Sequence, residues 1–502
     1  FLIGVMVILT PILNNYFIGD DFTWFRWASD CKSFISDPNA CGSIGSQISH
    51  YFLNSDGFFY RPGTKTYFLI MYSIFWLNPV IYHFVSIFLH SVFVILFFLL
   101  AKKILKDKFY AVLSTLIFLI SSGYLETVVW VSTTGFLFNA VFVLSSLLFY
   151  IFWDENKKLL YYVLSILSIA LGLMFHELGI VAPFLLIAYK VSNIESFRFK
   201  SIISIFKSAY NIFAFIPIVI YLIVRLLSQS HWFNGDYSYD ILRLPFNLIG
   251  NIVGYINLVI FGPISLPFYN LLRSFSRENI LVALLLVIVI FVFIYFGRKA
   301  LIKKIVGQDR RIIVFSVLFT VISLAPFLGL GNISSRYSYL ASFGIILLII
   351  LCIKNLHKYL IFYGKDIATY SIIVIFSVFA LFHIIQAQQF FLDWKGAGNK
   401  VQNFLISIDR HFDPMWNDTK VRLYIADVPI KNGNAWVFPV GLPDAIWFAF
   451  KSENIELLTF PNKETAMQNV DLTIPTWVFE FQNDGSLKRV VRTRDGTLKY
   501  SL

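Results

Sequence analysis

The sequence predicts a polytopic α-helical membrane protein of about eleven transmembrane helices, followed by a small C-terminal domain of α/β or α+β type. Three observations predict it. Of the 502 residues, 58% are hydrophobic and 14% charged, against about 25% charged in a soluble domain; mean hydropathy is +0.72. Apolar runs long enough to cross a bilayer recur from residue 1 to about residue 385 and then stop. The 41 Lys and Arg outnumber the 29 Asp and Glu, and the excess is confined to alternate connections between runs. Such a composition excludes disorder, and the sorting of charge by loop excludes a nucleic-acid footprint.

The runs fall near 1–18, 79–101, 107–121, 135–152, 159–175, 178–190, 209–227, 280–296, 312–328, 337–353 and 369–385. The first ends in Pro11, Asn14 and Asn15 without a small-residue cleavage site, so it is expected to be retained. The stretch 247–262 is also apolar but carries Asn247, Asn251, Asn257 and glycines, and is expected to be re-entrant or to lie at the interface. Loops near 102–108, 153–158, 190–207, 297–311 and 354–366 sum to a net +13, and the opposite set to −2. Cytoplasmic loops collect Lys and Arg. The expectation is therefore a protein integral to the plasma (inner) membrane, with the N-terminus cytoplasmic, a long first outer loop at 19–66, and a C-terminal domain outside. Cys31 and Cys41 share that outer loop, either as a disulfide or as two free thiols.

Two domains are expected: a membrane module over 1–385 and an extracytoplasmic domain over 386–502. In the second, 393–409 reads as an amphipathic helix. Val421–Val428, Ala435–Val440, Ile455–Phe460 and Trp477–Phe481 read as strands, and Pro443–Lys451 as a short helix. Asn483-Asp484-Gly485-Ser486 is a turn into Leu487–Arg492. No Gly-rich phosphate loop or nucleophile motif occurs there, so chemistry is expected elsewhere.

Ionisable groups at a membrane boundary are costly, which makes each one a functional candidate. Asp20 and Asp21 follow the first run; adjacent carboxylates repel and raise one pKa, which suits a general base on a hydroxyl. A helix cap is the alternative. Arg61, in Tyr60-Arg61-Pro62, offers a fork of donors suited to phosphate, or simply snorkels. Glu126 sits in a short loop with Trp130. His176 and Glu177 lie between two runs, where a lone His is more often a satisfied core residue. Arg336 and Tyr337, in Ser335-Arg336-Tyr337-Ser338-Tyr339, stand at the mouth of another run. All fall on the same expected face.

These motifs, in this order, resemble those of the GT-C glycosyltransferases, polytopic enzymes that take a sugar from a polyprenyl-phosphate carrier. The likeness is greatest to bacterial relatives of protein O-mannosyltransferases. Asp20-Asp21 resembles the family's first acidic motif, Tyr60-Arg61-Pro62 its Arg-Pro motif, and Glu126 with Val128-Val129-Trp130 its second acidic motif. His176-Glu177-Leu178-Gly179-Ile180 is similar to a Lys-Glu-x-Gly-Ile segment, Arg336-Tyr337-Ser338-Tyr339 to an Arg-Tyr-x-Tyr motif, and Trp394 to the stretch after the last span. The resemblance covers roughly residues 1–410. It departs at His176, where the family has Lys, which makes a cationic role pH-dependent. It departs again in the tail, where no TPR array follows.

The resemblance implies inverting transfer of a monosaccharide from polyprenyl phosphate to an extracytoplasmic acceptor hydroxyl on protein, glycan or lipid. Phosphate leaves without a protonating acid, in contrast to a glycoside hydrolase. Asp21 or Asp20 would be the base, Asp21 preferred. Arg336, then Arg61, with Tyr337, would bind the donor phosphate. Glu126, Glu177, His176 and Trp130 would position the acceptor or support the arginines. No metal is assigned, although Asp20, Asp21 and Glu177 could gather a divalent cation. Expected partners are membrane lipid, the lipid-linked donor and the acceptor, with no nucleic acid. The competing classes are a transporter or flippase of lipid-linked sugar, which midplane charges such as Arg225 would suit, an O-antigen ligase or polymerase, and a non-catalytic receptor.

Overall fold

The computed structural model describes residues 2–194, 199–230, 239–240, 243–279, 281, 288, 308–471, 473–492 and 498–501. The chain is mostly helical. Seven helical stretches among these residues are long and apolar enough to cross a membrane: Pro79–Leu105, Val131–Asn156, Ala209–Leu227, Leu244–Phe261, Gln308–Leu328, Ser335–Ile361 and Lys365–Arg410. Shorter apolar helices span Leu2–Leu9, Lys108–Ile120, Leu159–Phe175 and Ala182–Ser192. The run expected at 280–296 lies outside the described residues apart from Leu281 and Ile288.

The bundle has two unlike ends. At the basic end, Lys103 pairs with Glu155 at 2.6 Å and Lys354 with Asp309 at 3.1 Å; Gln308 Nε2 donates to the Ile104 carbonyl at 2.7 Å. The other end carries the C-terminal domain. Leu244–Phe261 lies across this domain end. Near its start, Asn247 Nδ2 donates to the Gly329 carbonyl at 3.2 Å, and toward its middle Asn251 Nδ2 donates to the carbonyls of Phe327, Leu328 and Leu330 at 2.9–3.1 Å, where the helix Gln308–Leu328 finishes. Near its finish, Ser121 Oγ donates to the Val259 carbonyl, and the Ile260 carbonyl meets His383 Nε2 at 3.1 Å. Both of its ends therefore touch one end of the bundle, in keeping with a segment lying along the interface. The polar side chains that interrupt its apolar run are the ones that hold it there.

Lys365–Arg410 is one continuous helix of 46 residues, where the sequence predicts a span and a separate amphipathic helix. Hydropathy falls after Gln386, but no proline interrupts the helix. Gly396 and Gly398 are spent on close approach: a Cβ on Gly398 would lie 2.8 Å from the Tyr16 carbonyl oxygen. The helix thus carries the chain from the bundle into a mixed sheet of order β4-β1-β5-β6-β7, with β1 Val421–Ala426, β4 Ile455–Phe460, β5 Thr476–Phe481, β6 Leu487–Arg492 and β7 Leu498–Ser501. The first three strands are parallel and the last two antiparallel. The expected strand Ala435–Val440 pairs only over Ala435–Trp436 (β3), against Lys431–Asn432 (β2). Its remainder, Val437–Gly441, forms a loop on the membrane module, where the Gly19 N–H donates to the Val437 carbonyl at 2.9 Å.

The first loop is built for rigidity. Cys31 and Cys41 are joined in a disulfide, Cα atoms 5.7 Å apart, closing a short loop worth about 2–3 kcal/mol on the chain-entropy model. Lys65 lies beneath it, Nζ 3.9 Å from the Trp27 ring centre and also facing Tyr51 and Phe58. It donates to the Ser55 carbonyl at 3.1 Å.

Candidate functional site

The carboxylate motif opens the helix Gly19–Ser29. Asp21 stands at its third position and caps it: Oδ2 accepts the Ile18 N–H at 3.0 Å, the reciprocal half of a capping box. Oδ1 reaches out of the helix and accepts both N–H and Oγ–H of Ser132, at 2.8 and 2.5 Å. Asp21 is fully buried. Burial drives its carboxyl up, the Ser132 and Ile18 bonds oppose this, and the Asp20 charge adds to the rise; the net is a pKa of about 7. Asp20 is half-buried beside it. Only glycine fits at 19, since a Cβ would lie 2.3 Å from the Val440 carbonyl oxygen of the C-terminal domain.

Ser132 ends the short segment Glu126–Ser132, and the start of that segment holds the second cluster. Glu126 Oε1 accepts Arg336 Nη1–H at 3.1 Å and Trp436 Nε1–H at 3.0 Å; Oε2 accepts the Ser335 hydroxyl at 2.7 Å; the Ser334 hydroxyl reaches both oxygens. Burial alone would raise the Glu126 carboxyl, but Arg336 and the Ser335, Trp436 and Ser334 bonds outweigh it and hold it below the usual carboxylate range. The Arg336 guanidinium lies 5.2 Å from the Trp130 ring centre and 5.0 Å from that of Tyr337, and donates to Tyr337 Oη at 3.1 Å. Trp130 Nε1 is buried with no hydrogen-bond partner among the described residues.

Tyr337 leads to the third cluster through Phe136, whose ring lies 5.9 Å from Tyr337 and 3.9 Å from His176. His176 and Glu177 occupy the break between Leu159–Phe175 and Ala182–Ser192. Glu177 takes Arg61 side-on, from Nε at 2.8 Å and Nη2 at 2.6 Å. Burial works against the Glu177 charge, but Arg61 more than reverses it and holds the carboxyl well below its ordinary range. His176 is pulled down to about 3, first by burial, then by the Arg61 charge, with Arg336 and Arg225 adding to it and Glu177 opposing. It is therefore neutral at physiological pH, and the positive charge around it belongs to three arginines. His176 Nδ1 accepts the Leu178 N–H at 3.2 Å, so Nε2 carries the proton. That Nε2 is buried without a partner among the described residues.

The structure thus places all nine predicted residues at the domain end of the bundle, in a chain of neighbours from Asp20 and Asp21 through Ser132, Trp130, Glu126, Arg336, Tyr337, Phe136 and His176 to Glu177 and Arg61. It does not gather Asp21 and Glu177 as a cation cage: Asp21 is turned to Ile18 and Ser132, Glu177 to Arg61, and no group of three such side chains converges among the described residues. Arg225 joins the arginines, hydrogen-bonded to Tyr221. Its signal in the sequence was a charge inside an apolar run. Trp436 carries no such signal, because it comes from a distant domain. A cleft of about 240 Å³ opens on Glu126 between Pro263–Asn270, which follow the lying segment, and Lys431–Trp436 of the C-terminal domain. Neither a protein-family model nor a curated protein matches the sequence.

Proposed function

We propose that the protein is an inverting glycosyltransferase that moves a monosaccharide from a polyprenyl-phosphate carrier to an acceptor hydroxyl outside the cytoplasm. About eleven helices would cross the plasma (inner) membrane, with the basic end and the N-terminus cytoplasmic and the site and C-terminal domain outside; the +13 of the basic loops supports this orientation. What carries the proposal is the gathering of Arg61, Arg225 and Arg336 about His176, beside buried N–H groups of His176 and Trp130 that have no partner among the described residues, one short segment from a carboxylate pair. Buried donors need acceptors, and an anion supplies them. Arg225, the charge that a transporter would use, belongs to the same group, which favours a binding role.

The acceptor oxygen attacks the anomeric carbon as the bond from that carbon to the phosphate oxygen breaks. The hydroxyl proton passes to the Asp20-Asp21 pair, and polyprenyl phosphate leaves with its charge held by the arginines. Asp21, at about 7, has the proton affinity a base needs near neutral pH. Its bonds to Ser132 orient it, and Asp20 is the more accessible of the two. One base and one phosphate-binding cation suffice, and both are side chains of this chain.

The test is release of polyprenyl phosphate from polyprenyl-phosphate sugars by the purified protein in nanodiscs. Asp20→Asn or Asp21→Asn should reduce release at least 100-fold with the protein still folded, and Arg336→Ala should raise the donor KM about tenfold, the loss of one charged hydrogen-bonded partner. Near-normal rates in both Asp variants would remove the pair as base, and absence of release by the unaltered protein with every sugar tried would remove the activity.

A further inference from the structure

The C-terminal domain reaches the candidate site at two places with one segment. Trp436 donates its Nε1–H to Glu126 Oε1 at 3.0 Å, and one residue later the Val437 carbonyl accepts the Gly19 N–H at the head of the carboxylate motif. The hairpin that delivers Trp436 is itself anchored. Asp393, buried on the long helix, accepts the Asn434 N–H and Nδ2–H, both at 2.9 Å, and its carbonyl accepts Asn432 Nδ2–H at 2.8 Å. Gly433 turns at φ +59 with its Cα packed against the Asp393 carboxylate: a Cβ there would sit 2.5 Å from it.

The two carboxylates hold their arginines differently. Glu177 engages Arg61 side-on through two nitrogens, the bidentate form that a carboxylate and a guanidinium adopt by preference. Glu126 engages Arg336 end-on through Nη1: Oε1 accepts both Arg336 Nη1–H and the Trp436 N–H, while the Ser335 and Ser334 hydroxyls hold Oε2. Resting on the donor-phosphate role proposed for Arg336, we propose that Trp436 is a positioning residue for it: the indole N–H shares Glu126 Oε1 with Arg336 Nη1, so that this oxygen does not hold the guanidinium alone. The domain then completes the phosphate side of the site, and through Val437 it also fixes the carboxylate side relative to it. Without the indole N–H, Oε1 serves Arg336 alone and draws the guanidinium more tightly to Glu126, away from phosphate.

The test compares Trp436→Phe, which keeps an aromatic ring but removes the N–H, with Trp436→His, which restores a ring N–H, each in nanodiscs and each checked for folding by size exclusion. Binding of undecaprenyl phosphate, without sugar, and the kinetics of transfer are both measured. Trp436→Phe should weaken binding and raise the donor KM on the order of tenfold, the effect of one hydrogen bond to a charged group, with kcat and acceptor KM within about twofold. Trp436→His should recover most of the loss. In a Glu126→Gln background, Trp436→Phe should add little, as coupled residues do. Unchanged binding in a folded Trp436→Phe protein, or an equal loss with and without Glu126→Gln, overturns the inference. An unaltered protein that binds undecaprenyl phosphate but transfers no sugar removes the proposed activity, and the role of Trp436 is then decided on binding alone.

Discussion

Asp21 joins a structural role and a proposed chemical one in a single side chain. It caps a helix, ties that helix to Ser132, and holds a proton up to about pH 7. An unfolded chain releases that proton near pH 4. Between those values the folded state binds more protons, so the contribution of this group to stability falls as pH rises through the window and is fully adverse above about 7. Transfer runs the other way if Asp21 is the base, because the base must be ionised: kcat/KM should fall about tenfold per unit below pH 7. A pH–rate profile flat from 5 to 8 would exclude Asp21 from that role. Asp21→Asn should also lower thermal stability by about 1–3 kcal/mol, since an amide nitrogen turned to Ser132 or Ile18 leaves a buried N–H unpaired. The sequence places two carboxylates after an apolar run; of the two alternatives read from it, the cap is what the structure shows for Asp21, and the base is the role proposed for it. Ser132 was not foreseeable, because the pairing spans more than a hundred residues of chain.

Single elements carry the rest of the site. The breaks between helices at His176-Glu177 and at Ser334–Tyr337 place polar side chains at one end of the bundle, because each sits where an apolar helix ends, and the Phe136 ring bridges them. These were legible as charges at run boundaries. The loop Val437–Gly441 was not: it reads as a strand by composition, and its true partner is the backbone at Gly19. Gly441, at φ +79, would place a Cβ 2.1 Å from the Gly19 carbonyl oxygen. Gly441→Val should therefore undock this loop, lowering the thermal midpoint by an amount set by about 1–3 kcal/mol of backbone strain and reducing transfer more than tenfold, while Val440→Ala, at an exposed neighbour, leaves both unchanged. A Gly441→Val protein with normal activity would show that the contact carries no function.

At the scale of the whole molecule, the order of apolar runs and the alternation of charge anticipated most helices, because hydropathy is a local property that bilayer thickness reads directly. The lying segment Leu244–Phe261 was distinguishable by its asparagines, which turn out to satisfy the carbonyl groups left open where a neighbouring helix ends. The path of the last helix was less legible, since a continuous helix and two adjoining helices differ only at a few residues. Orientation is testable directly. With Cys352 replaced by Ser, a cysteine at Lys488 should react with an impermeant maleimide in intact cells, and one at Lys106 only after permeabilisation. The reverse pattern would invert the molecule and put the site in the cytoplasm.

The unbroken helix Lys365–Arg410 makes the molecule a lever. Beyond the expected span, about 25 residues project as a rod of roughly 37 Å, so a tilt of about 10° would swing its far end by about 6 Å. A span longer than the hydrocarbon layer tilts to fit it, and the rod is bolted about a third of the way along, through Asp393, to the hairpin that bears Trp436. Thinning the membrane therefore loads the joints at Glu126 and Gly19 with torque. Reconstituted into lipids of graded chain length, the protein should show an activity optimum at one thickness, the bilayer then acting as a mechanical setting on the distance between the proposed base and the proposed phosphate site.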